Sequence, residues 1–489
     1  MFKLSQAGMP ENPSYPRNLT QLGYFIDERS EIRTIRPPHN YYNFWISNNN
    51  HINEAFRESM HACINEEVIH RMTALGIPPI YLPQLSTEKP HSEPNVPVLV
   101  TEKEELRKLK RITVVVNDDF QDLGLWAYRI VSKEHGLEAG SVVSLAKALH
   151  KSDSEPAEVP AHPTQGPAEN DTHDLNESPT SEDATHSSGL EPTDVPTHPA
   201  KKSSENEKHD LKESLISKPG ANIGPESPIA SKTSVTSTED VPFKVPENWQ
   251  APGLVVLNPG QLLYSYQLDK AVTKQSWDSQ PRKSAIHPVA TIDPIRNRAE
   301  GHRTVDEHVK STFDTILNNP DWVAPDAHIY MIGIGNGGDA MLRVLSKEWP
   351  KYEKRVEAIA LTDPTPVHEV FEDQRFVRFL RDRTRVLAPS AEAFGVPLAV
   401  PSPASSALPE HSSDWGYHYF PIQSSGERIF GEIIFPTTYR HILAWFDAVA
   451  STAEYRNPEM KVPEVLPQGL EDVEIFDATK DAPEEKADE

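Results

Sequence analysis

The segment AHIYMIGIGNGGDAMLRVL, residues 327–345, sets a glycine cluster between a buried-type apolar run and an amphipathic run. Two chemistries fit that arrangement. Gly333, Gly335 and Gly338 spell G-x-G-x-x-G, and Asp363 lies 25 residues beyond the last of them. Glycines that admit a pyrophosphate to a helix N-terminus, with an acid for the ribose, make a dinucleotide fingerprint. The six residues Gly333–Gly338 also overlay G-x-S-x-G-G, the sharp strand-to-helix elbow whose third position holds a nucleophile. Here that position is Gly335. A dinucleotide fold normally opens with its glycine loop, whereas this loop follows more than 300 residues, so the elbow is the preferred reading. Without a side chain at 335, an elbow is only a tight turn where glycine tolerates positive φ.

Other residues of reactive type attract structural readings. His368 and His441 have no serine partner that the sequence identifies, and Ser424 and Ser425 precede Gly426 in a turn, where a hydroxyl commonly bonds its own backbone. In FEDQRFVRFLRDRTRVLAPS, Arg378, Arg381 and Arg385 recur at spacings of three and four, which places them on one helical face. Such a row can neutralise phosphates or meet a partner's acids. A solvated face paired with Glu372 and Asp382 is the plainer alternative.

These residues need strands and helices to hold them. Apolar β-branched runs at Ile112–Val116, Leu254–Leu257, Ile329–Ile332, Val356–Leu361 and Tyr417–Ile422 predict strands, and a helix-like segment is expected at Leu125–Val131. Helical patterns fall at about 304–318, 338–347, 369–384 and 437–450. Strands alternating with helices of that length predict an α/β fold, a mostly parallel sheet with helices on both faces. In the first 100 residues, 22–35 reads as a hairpin and Ile52–Leu75 as a helix.

Composition divides the 489 residues. Residues 152–245 hold 12 prolines, one aromatic (Phe243), and 18 acidic against 7 basic residues, too little apolar surface to offset the entropy of ordering. Within them VPAHP at 159–163 recurs as VPTHP at 195–199, and ENDTHDLNES at 169–178 as ENEKHDLKES at 205–214, a low-complexity duplication at an offset of 36. The predicted organisation is an N-terminal hairpin and helix extension (1–100), an α/β domain (101–151 and 246–455), a disordered acidic insertion (152–245) and an acidic tail (456–489). The insertion and residues 457–489 contribute −11 and −8 to the net charge of −25, leaving −6 for the rest, so charge neither requires nor excludes an RNA or protein partner. One cysteine, Cys63, and an opening MFKLSQAGMPENPSYP without an apolar run predict no secretory leader and a reducing compartment, cytoplasm or nucleus. No apolar stretch approaches the roughly 18 residues of a membrane span, and no spacing of His, Cys or acids suggests a metal site or a cofactor.

Seven segments together resemble the argonaute-binding-protein domain family: YFIDERSEIRTI (24–35), GLWAYRIV (124–131), GLVVLNP (253–259), DEHVKSTFDTIL (306–317), IGIGNGG (332–338), VEAIALTD (356–363) and QSSGERIFGEIIFPTTYRHILAWF (423–446). That family includes the second subunit of the fungal argonaute siRNA chaperone complex and the C-terminal domain of fungal class II histone deacetylases. The resemblance implies an α/β-hydrolase-like fold. It also implies that active-type members carry serine where Gly335 stands, histidine where Gly431 precedes Glu432, and H-G-S-G where Asn117-Asp118-Asp119 follows the early strand. Only Asp363 survives of that set, and an acid without its histidine orients nothing. The function so implied is non-catalytic: a relic cleft of Asn258, Gly335, Asn336, Gly337, Gly338, Asp363 and Gly431 presents a partner surface. The partners implied are argonaute and a second chaperone subunit, with indirect siRNA contact, in support of small-RNA-directed heterochromatin assembly, and of the two compartments the resemblance implies the nucleus. A histone-deacetylase-associated silencing factor and a hydrolase with a non-standard site are the alternatives.

Overall fold

A computed structural model describes residues 13–37, 40–43, 45–134, 136–150, 251–282, 287–402, 411–412 and 415–463. The duplicated insertion 152–245 and most of the acidic tail therefore lie outside the described residues.

The chain opens with a hairpin of β1 (Tyr24–Ile26) and β2 (Ile32–Thr34), then α1 (Asn50–Ala74), whose first turn is capped by the Asn49 side chain accepting from the His51 N–H. Strands β3 (Pro79–Leu82) and β4 (Val96–Val100), the single turn α2 (Lys103–Leu106) and β5 (Arg111–Val116) follow. Short helices α3 (Tyr128–Val131) and α4 (Gly136–Ala139) precede α5 (Val142–His150). Beyond the insertion come β6 (Gly253–Leu257), the hairpin β7 (Leu263–Ser265) and β8 (Lys270–Val272), α6 (Lys274–Asp278), and α7 (Val305–Thr312), which runs into a π-helical turn at Phe313–Leu317. The site is built by the next elements: β9 (His328–Ile334), α8 (Gly335–Tyr352), β10 (Val356–Thr362), α9 (Gln374–Arg383) and β11 (Thr384–Ala388). The chain closes with β12 (Pro397–Ala399), the ladder β13 (His411–Ser412) and β14 (Gly416–Tyr417), β15 (Ile422–Ser424) and α10 (Ile434–Ser451).

Nine strands join in one sheet in the order β12-β15-β11-β10-β9-β5-β6-β4-β3. The run from β15 to β6 is parallel, and β12, β4 and β3 finish the edges by antiparallel pairing. This is the expected α/β class. Helices cover both faces, and successive residues of one strand alternate between two cores, as a period of two requires. Val114, Val116, Ile329 and Met331 pack with Met341, Leu345 and Trp349 of α8 and Phe376 of α9. Val115, Ile332 and Ala360 pack with Met60, Ile64 and Val68 of α1 and Ile442 and Phe446 of α10. Burial on both faces explains why the central strands read as unbroken apolar runs.

The hairpin at 22–35 and the helix over Ile52–Leu75 are found where the pattern places them. Residues 79–100 also supply two edge strands of the sheet, which no periodicity had marked. Three expectations are corrected. The apolar stretch Tyr417–Ile422 is not one strand: Tyr417 pairs with His411, and the sheet strand is Ile422–Ser424. Between them Tyr419 and Phe420 are buried without strand pairing, Tyr419 packing on Phe371 with tilted rings at 4.7 Å, so burial alone imitated a strand. At Leu125–Val131 only Tyr128–Val131 is helical, because Leu125 instead bridges to Ser141. Finally, the helix expected over about 369–384 starts only at Gln374, and after its end at Arg383 Thr384 has extended backbone (φ −121°, ψ 139°) and opens β11, which puts Arg385 on a strand.

Candidate functional site

In a parallel sheet, the loops that leave the C-terminal strand ends converge on one edge, the usual place for a site. Here the loops after β5, β9, β10 and β15 bring together Asn117–Asp119, Gly335–Asp339, Asp363 and Gly431–Glu432. Gly335 is the first residue of α8 and has φ +50°, the left-handed turn of a nucleophile elbow. The neighbouring glycines are demanded by contact. A Cβ on Gly333 would lie 2.5 Å from the Gly338 Cα, and one on Gly337 would lie 1.9 Å from the Asn117 carbonyl oxygen. Both hold α8 close against the strand ends.

Carboxylates fill the space that catalytic side chains would need. A Cβ on Gly335 would stand 2.6 Å from Asp118 Oδ1, and one on Gly431 would stand 1.9 Å from Asp363 Oδ2. Asp118 Oδ1 accepts from the Asn336 backbone N–H at 3.2 Å and from the Asp119 N–H at 2.9 Å, while the Asn336 side-chain amide donates to Asp119 Oδ1 at 2.9 Å. In an acyl-transfer elbow the N–H after the nucleophile is an oxyanion donor. Here Asp118 has taken it. The edge thus offers no hydroxyl at 335, no imidazole at 431, and an engaged oxyanion donor.

The charges at this edge oppose one another. Burial first, and Asp119 next, push the Asp118 carboxyl up to about 6. Asp363, itself at φ +50°, is raised by burial and by Glu432, whose Oε1 accepts from Arg129 Nε at 3.1 Å. Asp339, one helical turn into α8, is pushed up to about 6 by burial, against a hydrogen bond from the Thr365 hydroxyl. Sequence reading passed over Asp339, although its place four residues after Gly335 was a signal. Between about pH 4 and 6 the fold holds a proton on Asp118 that the unfolded chain has released. Its contribution to stability is greatest below that window and is lost as pH rises through it. Asp118→Asn keeps an oxygen for both backbone donors, so at pH 7.5 it is expected to stabilise the protein by about 1–3 kcal/mol. Thermal unfolding at pH 7.5 and below pH 4 checks this: the gain should vanish at the acid end, and equal melting temperatures at pH 7.5 would refute it.

Asn258 does not rim this edge. It is 1% exposed, and its Nδ2 donates to the Pro97 carbonyl and to Gln261 Oε1 at 3.0 and 2.9 Å. It belongs to an interior network, because burial at the β6 end leaves its polar atoms no solvent. Its backbone N–H donates to His308 Nε2 at 3.0 Å, and His308 Nδ1 lies 2.9 Å from His302 Nδ1. An accepting Nε2 obliges His308 to carry its proton on Nδ1 and to donate it to His302, whose proton is then on Nε2. Burial lowers both imidazoles, His302 to about 4. Below about pH 6.5 the unfolded chain takes protons that the fold refuses, so this pair's contribution, complete above 6.5, is lost as pH falls toward 4. Nitrogen NMR of the rings at pH 7 should show two neutral histidines, Nδ1–H at 308 and Nε2–H at 302; a protonated ring or the reverse tautomers would refute the network.

The arginine row is divided. Arg378 is exposed on α9, and Arg381 Nε donates to Asp382 Oδ1 at 2.9 Å. Arg385 lies on β11, stacked over Trp445 at 5.0 Å and donating to the Tyr455 hydroxyl at 2.9 Å. No common helical face joins all three. Ser424 and Ser425 donate to the Glu392 and Glu427 carbonyls, and the His441 ring lies tilted against Phe394 at 4.6 Å. A pocket of about 370 Å³ lined by Ile80, Leu85, Lys103, Asp321 and Trp322 lies away from this edge. Lys103 follows the antiparallel β4 and Trp322 precedes β9, so both belong to the N-terminal end of the parallel strands. Among the described residues no set of three or more His, Cys, Asp or Glu is disposed to hold a metal, and no helix is long and apolar enough to cross a membrane.

The sequence matches the family model of the Arb2 domain over residues 15–209 and 229–394, the family expected from the ordered segments. No curated protein sequence matches it. A solved structure described as that of the histone deacetylase Clr3 aligns over 30% of this chain and 22% of its own length, at 13% identity and a TM-score of 0.22, values too low to bear on fold or function.

Proposed function

Since the chain belongs to the Arb2 domain family, we propose that it is a non-catalytic scaffold subunit of an argonaute siRNA chaperone complex, supporting small-RNA-directed heterochromatin assembly in the nucleus. The observation that supports this reading best is the Asp118 carboxylate bound to the Asn336 N–H above a nucleophile position held by glycine. An edge so closed has exchanged transition-state stabilisation for a fixed surface, and a scaffold needs only the surface. Argonaute and a second chaperone subunit are the partners proposed, with siRNA reached through argonaute.

The test is purification of the tagged native protein at mild salt, with identification of its proteins and small RNAs. Argonaute with duplex small RNA is the expected result. Deacetylase subunits without argonaute would replace this function by a role in a deacetylase complex. Stoichiometric labelling by a fluorophosphonate would overturn the non-catalytic part of the proposal.

A further inference from the structure

Phe120 and Ile429 are the most exposed large apolar side chains among the described residues, at 71% and 72%. Both stand on loops of the same sheet edge: Phe120 directly follows Asp118 and Asp119 after β5, and Ile429 precedes Gly431 and Glu432 after β15. Val370, 47% exposed, stands on the loop after β10. Three loops of one edge each turn an apolar group to water while the two cores beneath are packed, the pattern of a partner surface. The same loops hold Asp118, Asp119 and Asp363. Among the described residues, none of these three carboxylates has a lysine, arginine or histidine within ion-pair distance, whereas Glu432 has Arg129. Their mutual repulsion would be relieved by a cation from outside.

We infer that this edge docks a segment of a partner protein presenting a lysine or arginine between apolar side chains, the apolar groups covering Phe120, Ile429 and Val370 and the cation meeting Asp118, Asp119 and Asp363. The inference rests on the scaffold reading and names the chemistry of its partner. Charge complementarity selects the occupant. Phosphates of a nucleic acid or an anionic lipid surface would meet carboxylates of their own sign. A second copy would bring six of these carboxylates together against Arg428, exposed beside Ile429, in each copy, a poorer match than a basic segment.

Full-length chain with the photo-crosslinking amino acid p-benzoylphenylalanine at position 120 or 429, and at the exposed Ile295 as control, tests this in cells. Sequencing of the crosslinked peptides should give one protein segment shared by 120 and 429, containing lysine or arginine with apolar neighbours, and absent from 295. The double variant Phe120→Ser, Ile429→Ser should melt as the parent does and reduce recovery of that protein about tenfold or more. Crosslinks to RNA, to a second copy or to an acidic segment would overturn the inference, as would absence of crosslinks or undiminished recovery with the variant. The two readings fail separately: a basic segment from a protein outside any argonaute complex removes the scaffold assignment and keeps the docking edge, whereas argonaute recovered equally by the double variant keeps the scaffold and removes the edge.

Discussion

Alanine at Gly337 is expected to cost about 3 kcal/mol, the upper part of the range for forcing an extra group into a packed interior. The new Cβ would meet the Asn117 carbonyl oxygen at 1.9 Å and its carbon at 2.8 Å, both backbone atoms at the end of β5. A side chain could rotate away. A strand end cannot, so α8 must lift from the sheet or the loop bearing Asp118 must move. At roughly 2.1 cal/mol/K per residue over about 330 described residues, the melting temperature should fall by about 4–5 °C. Gly76→Ala serves as the control: it has φ +75° but nothing within 4 Å of the new Cβ, so only backbone strain of about 1 kcal/mol is expected. Equal melting temperatures for the two variants would show that α8 does not press on β5 as described.

Placing serine and histidine at the two glycines is expected not to create a hydrolase. In Gly335→Ser with Gly431→His, the serine Cβ enters at 2.6 Å from Asp118 Oδ1 with φ at +50°, and the histidine Cβ enters at 1.9 Å from Asp363 Oδ2. Left-handed strain at 335, with two carboxylate side chains that must turn aside, should cost about 1–3 kcal/mol. Even turned aside, Asp118 stays beside the Asn336 N–H that it engages in the parent, so a developing oxyanion would meet a carboxylate where it needs a donor. The expected outcome is p-nitrophenyl acetate hydrolysis at the buffer rate together with a lowered melting temperature. A burst of p-nitrophenolate equal to the enzyme concentration would mean that the edge is still organised for acyl transfer, and the scaffold proposal would lose its main support.

Both predictions concern atoms that no local pattern announces. The glycine loop itself was legible: an apolar run, GIGNGG and an amphipathic run allow few structures, and the strand-to-helix turn with positive φ at Gly335 is among them. Ile112–Val116, Leu254–Leu257, Ile329–Ile332 and Val356–Leu361 were legible for the same reason, since strands buried on both faces leave an unbroken apolar signature. The edge strands β3 and β4 were not, because Pro79 and Pro97 and the shortness of each run weaken that signature. Thr384–Ala388 was hidden behind the arginine spacing of the helix before it.

The central strands, the strand-to-helix turn of the glycine loop and the bare position 335 follow from the residues alone, because backbone freedom and apolar periodicity act over a few neighbours, whereas Gly431 gained a meaning only through the family resemblance. Which groups meet is another matter. Asp118 is 217 residues from Gly335 in the chain yet lies against it, Asp363 lies against Gly431, and Asn258 is drawn inward to the two histidines and not outward to the edge. Those meetings depend on sheet register and on the angle at which each loop leaves its strand, quantities summed over the whole core. The glycine at the elbow's third position could therefore be read from one position, while the carboxylate beside it needed β5 and β9 paired in register.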